Sequence, residues 1–114
     1  MDVVRFANAP FYSAPNHDGV TARRLQGGQA SSADFAWVGY SEFPSGVALP
    51  MEAAPIGKIY VVTRGVICID QADGTRHRLE QWDSIYVPPN EARAVVNDSG
   101  EPAAIIVVTP PPAK

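Results

Sequence analysis

The chain has 114 residues, 46% of them hydrophobic and 18% charged, with a formal net charge of -3. That is the size of one domain with one core. The acidic balance excludes a dedicated nucleic-acid surface, because Arg23-Arg24 and Arg76-His77-Arg78 are too short to displace phosphate counterions. No run approaches the roughly 18 apolar residues of a membrane span. The opening Met1-Asp2-Val3-Val4-Arg5-Phe6 is unlike a secretory signal. A lone Cys68 leaves no internal disulfide, so a reducing cytoplasm is the expected compartment.

Eleven prolines and nine glycines would break a helix bundle and suit short strands joined by turns. In chain order, residues 1–33 read as an arm with strand candidates at Val3–Phe6 and Val20–Leu25. Loop signals surround them at Asn8-Ala9-Pro10, Ala14–Gly19 and Gly27-Gly28. Asp34–Phe43 alternates like a strand, Pro44-Ser45-Gly46 turns, and a short strand over Gly46–Leu49 closes at Pro50. Lys58–Thr63 and Val66–Asp70 are β-branched and aromatic-rich, with Gly65 between them. Asp73-Gly74 supplies a hairpin turn before Arg76–Leu79. Ser84–Val87, Ala92–Asn97 and Ala103–Val108 follow, and residues 110–114 form a Pro-rich tail. The spacing predicts one all-β domain over 1–114, a sandwich or barrel, with its body at 34–109.

Residues 46–110 resemble the cupin superfamily of small jelly-roll barrels, the double-stranded β-helix fold. In Trp82-Asp83-Ser84-Ile85-Tyr86-Val87-Pro88-Pro89-Asn90 and then Asn97, the positions Asp83, Pro88 and Asn97 agree with the family's second motif. Trp82 and Asn90 stand where that motif has glycines, and Arg93 stands at its His. In the first motif Gly65 fits the closing Gly, which puts Lys58 at the Glu position. Glu52 and Ala54 then match the two His positions; the other spacing gives Met51 and Ala53. The resemblance implies a metal in such barrels, but two cations and an alanine at the ligand positions are unsuited to a divalent ion. A metal-free protein with no cofactor is therefore expected.

Alternation places Tyr60 and Val62 on the face of Lys58, and Val95 and Asn97 on that of Arg93. Interior cations need a counter-charge. That is either Glu52 in a structural salt bridge or a bound anion, unless Lys58 snorkels to the rim. Lys58, Arg93 and Glu52 are the candidate catalytic residues, with the cations stabilising charge and Glu52 or a tyrosine moving a proton. Tyr60, Tyr86, Tyr40, Trp37 and Met51 are candidate ligand-binding residues, although strand aromatics are more often core. His17 and His77 lie outside the motif positions, and Cys68 reads as a buried small hydrophobe.

The expected function is metal-independent binding of a small organic acid, with lyase, isomerase or decarboxylase chemistry on it. A non-catalytic small-molecule binding barrel and a degenerate interaction module are the alternatives. The resemblance also implies a homodimer, and neither nucleic acid nor membrane is an expected partner.

Overall fold

The computed structural model describes residues 1–112; the last two residues of the Pro-rich tail, 113 and 114, lie outside the described residues. Ten strands follow one another: β1 (Phe11–Tyr12), β2 (Thr21–Gln26), β3 (Trp37–Phe43), β4 (Ala48–Glu52) and β5 (Lys58–Arg64). Then come β6 (Ile67–Gln71), β7 (Arg76–Leu79), β8 (Ser84–Val87), β9 (Arg93–Val96) and β10 (Ala103–Thr109). They form two antiparallel sheets, ordered β1-β2-β3-β10-β5-β8 and β4-β9-β6-β7. This is the expected all-β jelly roll. Among the described residues no helix is long and apolar enough to cross a membrane.

The core lies between the sheets, because period-2 alternation points one face of every strand inward. Phe43, Tyr60, Val62 and Ile105 come from the larger sheet; Leu49, Ile67, Ile69 and Val95 come from the smaller. Asn97 is fully buried just past β9 and uses its whole amide. Its Nδ2 donates to the carbonyls of Phe43 (2.9 Å) and Glu101 (2.7 Å), and its Oδ1 accepts from the Ser99 hydroxyl (2.7 Å). A buried polar group is tolerable when it is satisfied in this way.

Three local expectations are corrected. Val3–Phe6 is not a strand; a 3-10 turn at Phe6–Asn8 follows it, and the first strand is the two-residue β1. Pro50 does not close β4, which continues to Glu52; β4 is a sheet edge, where a residue without an N–H is tolerated. The strand expected from Asp34 begins only at Trp37.

The N-terminal arm is fastened by Arg23. Arg23 faces outward from β2, where its guanidinium carbon lies 4.0 Å from the Phe11 ring centroid and 4.9 Å from that of Phe6. Its Nη1 donates to the carbonyls of Phe6 (3.0 Å) and Ala9 (3.2 Å). Phe6 in turn meets Tyr40 edge-on at 4.9 Å. Stacking and charged hydrogen bonds thus tie the arm to the outer face of the larger sheet.

Trp82 and Asn90, matched to motif glycines, both adopt left-handed backbone conformations, with φ of 71° and 64°. The turn geometry has been kept while the residue type has changed. The Trp82 N–H donates to the Val62 carbonyl at 2.6 Å, which holds the backbone in that conformation. A left-handed L-residue costs about 1–2 kcal/mol. Trp82→Gly is therefore expected to be more stable than Trp82→Ala by about 1 kcal/mol, as read by urea denaturation. Equal stabilities would show that the turn relaxes when the indole is removed.

Candidate functional site

A cavity with a volume of about 180 Å³ opens on the inner face of the larger sheet. Its wall is mixed. Phe43, Leu49 and Ile105 form an apolar floor, while Lys58, Tyr60, Arg24, Ser41, Tyr12 and His17 supply polar groups. The loop from Ser13 to Val20 lies across it, with the His17 ring nitrogen Nδ1 2.7 Å from the Pro15 carbonyl.

Lys58 reaches the cavity because β5 alternates. Ile59 is exposed, Tyr60 and Val62 are buried, and Lys58 is half-buried on their side. Burial first, and the positive charge of Arg93 second, lower its pKa below the ordinary lysine value; Glu52 works weakly the other way. Arg93 is only 6% exposed. Its Nε donates to the Tyr60 hydroxyl at 2.9 Å, so the phenol is held between the guanidinium and the cavity. Burial raises the Tyr60 pKa, against the opposing charge of Arg93. A smaller recess behind the cavity is lined by Lys58, Arg93, Glu52 and Glu91.

The expected ion pair between Glu52 and either cation is not formed. Among the described residues the ion pairs are Arg76 with Asp70 (2.6 Å) and Asp98 (2.7 Å), and Arg78 with Glu80. Glu52 sits opposite Arg93 in the β4–β9 register, yet its carboxylate accepts from the Asn16 side-chain amide in the overlying loop. Arg93 turns the other way, to Tyr60. The carboxylate is therefore near enough for its charge to be felt at Lys58 without neutralising it.

The other expected binding residues are placed differently. Tyr60 lines the cavity, whereas Tyr86, Tyr40, Trp37 and Met51 do not. Tyr86 is 62% exposed and pairs with Ile59 on the outer face, beside a separate recess that Arg93 also borders. Tyr40 faces outward under Phe6, and burial and then the neighbouring Glu42 carboxylate raise its pKa. Trp37 packs where Gly27 and Gly28 leave room for its ring, and a Cβ at Gly28 would come within 3.3 Å of it. Met51 is 43% exposed at the β4 edge. Sequence reading missed Arg24, Tyr12 and His17. The alternation of Ala22 and Arg24 against Arg23 could have marked Arg24 as inward-facing, but β1 and the loop carry no such pattern.

The donor set does not fit the metal that the resemblance implies. The recess brings two cations together with Glu52, Glu91 and Ala54, and among the described residues no group of three or more His, Cys, Asp or Glu could hold a metal ion. His77 is remote from His17 and has Nε2 2.6 Å from the Gln71 side-chain oxygen. What this arrangement offers chemically is a cationic end to a mostly apolar cavity.

Two measurements test these electrostatics. Tyr60→Phe removes the acceptor of a buried guanidinium N–H and is expected to cost about 1–3 kcal/mol of stability in denaturant titration. An unchanged stability would mean that Arg93 finds another partner. Lys58 has a folded pKa below its unfolded one. Between those two values the unfolded chain binds more protons, so stability rises with pH through that window. Below the window the penalty of the buried charge is fully present. Lys58→Met is expected to be the more stable protein there and to lose that part of the pH dependence; a parallel pair of stability curves would refute it.

The comparisons agree with this architecture. Residues 40–109 match the family model described as Cupin domain. The protein named beta-D-galactosidase Rv1717, from Mycobacterium tuberculosis (strain ATCC 25618 / H37Rv), is 34% identical over 115 residues, covering 98% of this chain and 96% of its own. The polyketide cyclase RemF from Streptomyces resistomycificus superposes with a TM-score of 0.85 at 20% identity, over 98% of this chain and 82% of that one. An RmlC-like cupin from Shewanella frigidimarina does so with a TM-score of 0.80 at 16% identity, over 100% and 94%. At these identities the superpositions speak for the fold alone. The family match covers more than half of the chain, so this protein belongs to the cupin family.

Proposed function

We propose that this cupin works without a metal and binds a small organic anion in its barrel cavity, with Lys58 as the primary anion-binding group. The observation that carries the reading is that Lys58 lines the cavity without a paired carboxylate among the described residues, while Arg93 adds positive charge behind it. A bound carboxylate would supply the missing counter-charge and raise the Lys58 pKa. Lys58, kept charged by that pairing, stabilises the negative charge that forms when a proton leaves the carbon next to the carboxylate, and Glu52 or Tyr60 carries the proton. Isomerase or lyase chemistry follows from such a step, and in a decarboxylation the carbanion forms by loss of CO2 and then takes up the proton; in each case Arg93, held against Tyr60, stabilises the developing negative charge. Glu52, turned to Asn16 at the recess, is the proton carrier on the other side of Lys58.

A thermal-shift series with small carboxylates tests the anion site. A ligand at a hundredfold excess over its Kd stabilises the native state by about 2.7 kcal/mol. Several acids are expected to raise the Tm of the wild type but not of Lys58→Met, and the shift should fade as pH rises through the lysine pKa. No shift with any acid would sink the reading.

A second reading rests on the 34% identity to the protein named as a beta-D-galactosidase, over nearly the whole length of both chains. Glycoside hydrolysis ordinarily needs two carboxylates beside the scissile bond. Glu52 and Glu91, which share the recess with Lys58 and Arg93, are the candidates. Turnover of a chromogenic β-galactoside by the wild type, abolished in both Glu52→Gln and Glu91→Gln, would favour this reading over the first. A homodimer belongs to the proposal as well. The exposed Ile59–Tyr86 pair on the outer face of the larger sheet supports it.

A further inference from the structure

The cavity has a second cation, and nothing in the fold accounts for its state. Arg24 enters the wall from β2. Its guanidinium carbon lies 4.0 Å from the Tyr12 ring centroid and 4.6 Å from that of Trp37, so two aromatic faces hold it. Gly39 makes this possible, since a Cβ there would collide with the Tyr12 hydroxyl and come within 3.6 Å of Arg24 Nη1. Stacking satisfies the faces of a guanidinium and leaves its N–H edges unused. Arg24 forms no ion pair among the described residues, and its Nε is buried without a hydrogen-bond partner. A buried donor left unpaired forfeits its hydrogen bond to water without replacement. That cost is difficult to explain for a purely structural residue.

The sheet register shows where this cation stands relative to the first. Arg24 pairs with Gly39, Gly39 with Val107, and Val107 with Tyr60. These four residues form one cross-strand row on the inner face. Three strand spacings separate the Arg24 and Tyr60 backbones by about 14 Å, and between them stand only a glycine and a valine. Lys58, one inward position along β5 from Tyr60, lines the same cavity. The cavity therefore has a cation at each end of an open, largely apolar span. Its volume of about 180 Å³ leaves room for several waters or a short-chain acid.

We propose that the barrel cavity is a two-cation site for a short dicarboxylate, with one carboxylate at Lys58 and the other on the fork of Arg24. This rests on the organic-anion reading and narrows its ligand class. Arg24 is the specificity residue. Its planar fork accepts a carboxylate through two parallel hydrogen bonds, and the aromatic clamp orients it before the ligand arrives.

Calorimetric titration of succinate, glutarate and adipate against butyrate, pentanoate and hexanoate separates the possibilities. One diacid is expected to bind the wild type roughly ten- to hundredfold more tightly than the monoacid of equal length. In Arg24→Gln that diacid should fall to the monoacid's affinity. Arg24→Lys, which keeps the charge without the fork, should recover part of the preference. Circular dichroism on each variant confirms that it is folded. Diacids and monoacids binding the wild type alike, or a preference that survives Arg24→Gln, would overturn the two-cation site and leave the anion reading standing. If neither kind of acid binds the wild type, the anion reading fails and the dicarboxylate proposal fails with it.

Discussion

The double pairing of the last strand, β10, is the constraint on which the rest of the barrel depends. It lies between β3 and β5 and hydrogen-bonds to both. Without it the larger sheet would fall into two pieces with open edges. With it, residues about forty to seventy positions apart share a face. Ile105 meets Ser41 on one side and Val62 on the other, and all three are buried. A slip of one residue would turn Ile105 and Val107 outward and bring Ile106 and Val108 into the cavity. The bulge between Ala104 and Ile105 absorbs the one irregularity in that pairing.

The electrostatics of the cavity follow from this register. Tyr60 is carried into the interior by β5, and Arg93 arrives from the opposite sheet on β9. Their hydrogen bond is thus a contact between the two sheets, made where a jelly roll would otherwise need apolar filling. A guanidinium in that position keeps its positive charge, delocalised over the planar group. Its field is felt at Lys58, which forms no ion pair among the described residues. Glu52 is drawn to Asn16 in the loop that crosses the cavity, so that loop and the charge balance of the site are linked through one hydrogen bond.

The two adjacent arginines of β2 show how strand geometry divides labour. Arg23 points out and fastens the arm through Phe6 and Phe11; Arg24 points in and is clamped by Tyr12 and Trp37. The arm is needed on both faces, since it supplies Phe6 and Phe11 to one arginine and Tyr12 to the other. The glycines of β3 and of the loop before it make room for the clamp. Gly39 admits the Tyr12 hydroxyl, and Gly27 and Gly28 admit the Trp37 ring.

Period-2 alternation, turn residues and the motif spacing by themselves determined the all-β class, nine of the ten strands to within a few residues, and the inward direction of Lys58 and Arg93. Those are local properties, set by whether side chains alternate and where the backbone turns. The left-handed turn at Trp82 was legible only through the motif, because tryptophan does not signal that conformation, whereas Asn90 is of a residue type that favours it. Tertiary structure alone decided the partners: Arg93 with Tyr60, Glu52 with Asn16, and Arg24 with its two aromatic rings. It also decided that Tyr40, Tyr86 and Met51 face away from the cavity. Strand pairing between distant segments is non-local, and the orientation of a long polar side chain depends on which neighbour reaches it first. Neither is written in the spacing of a single chain.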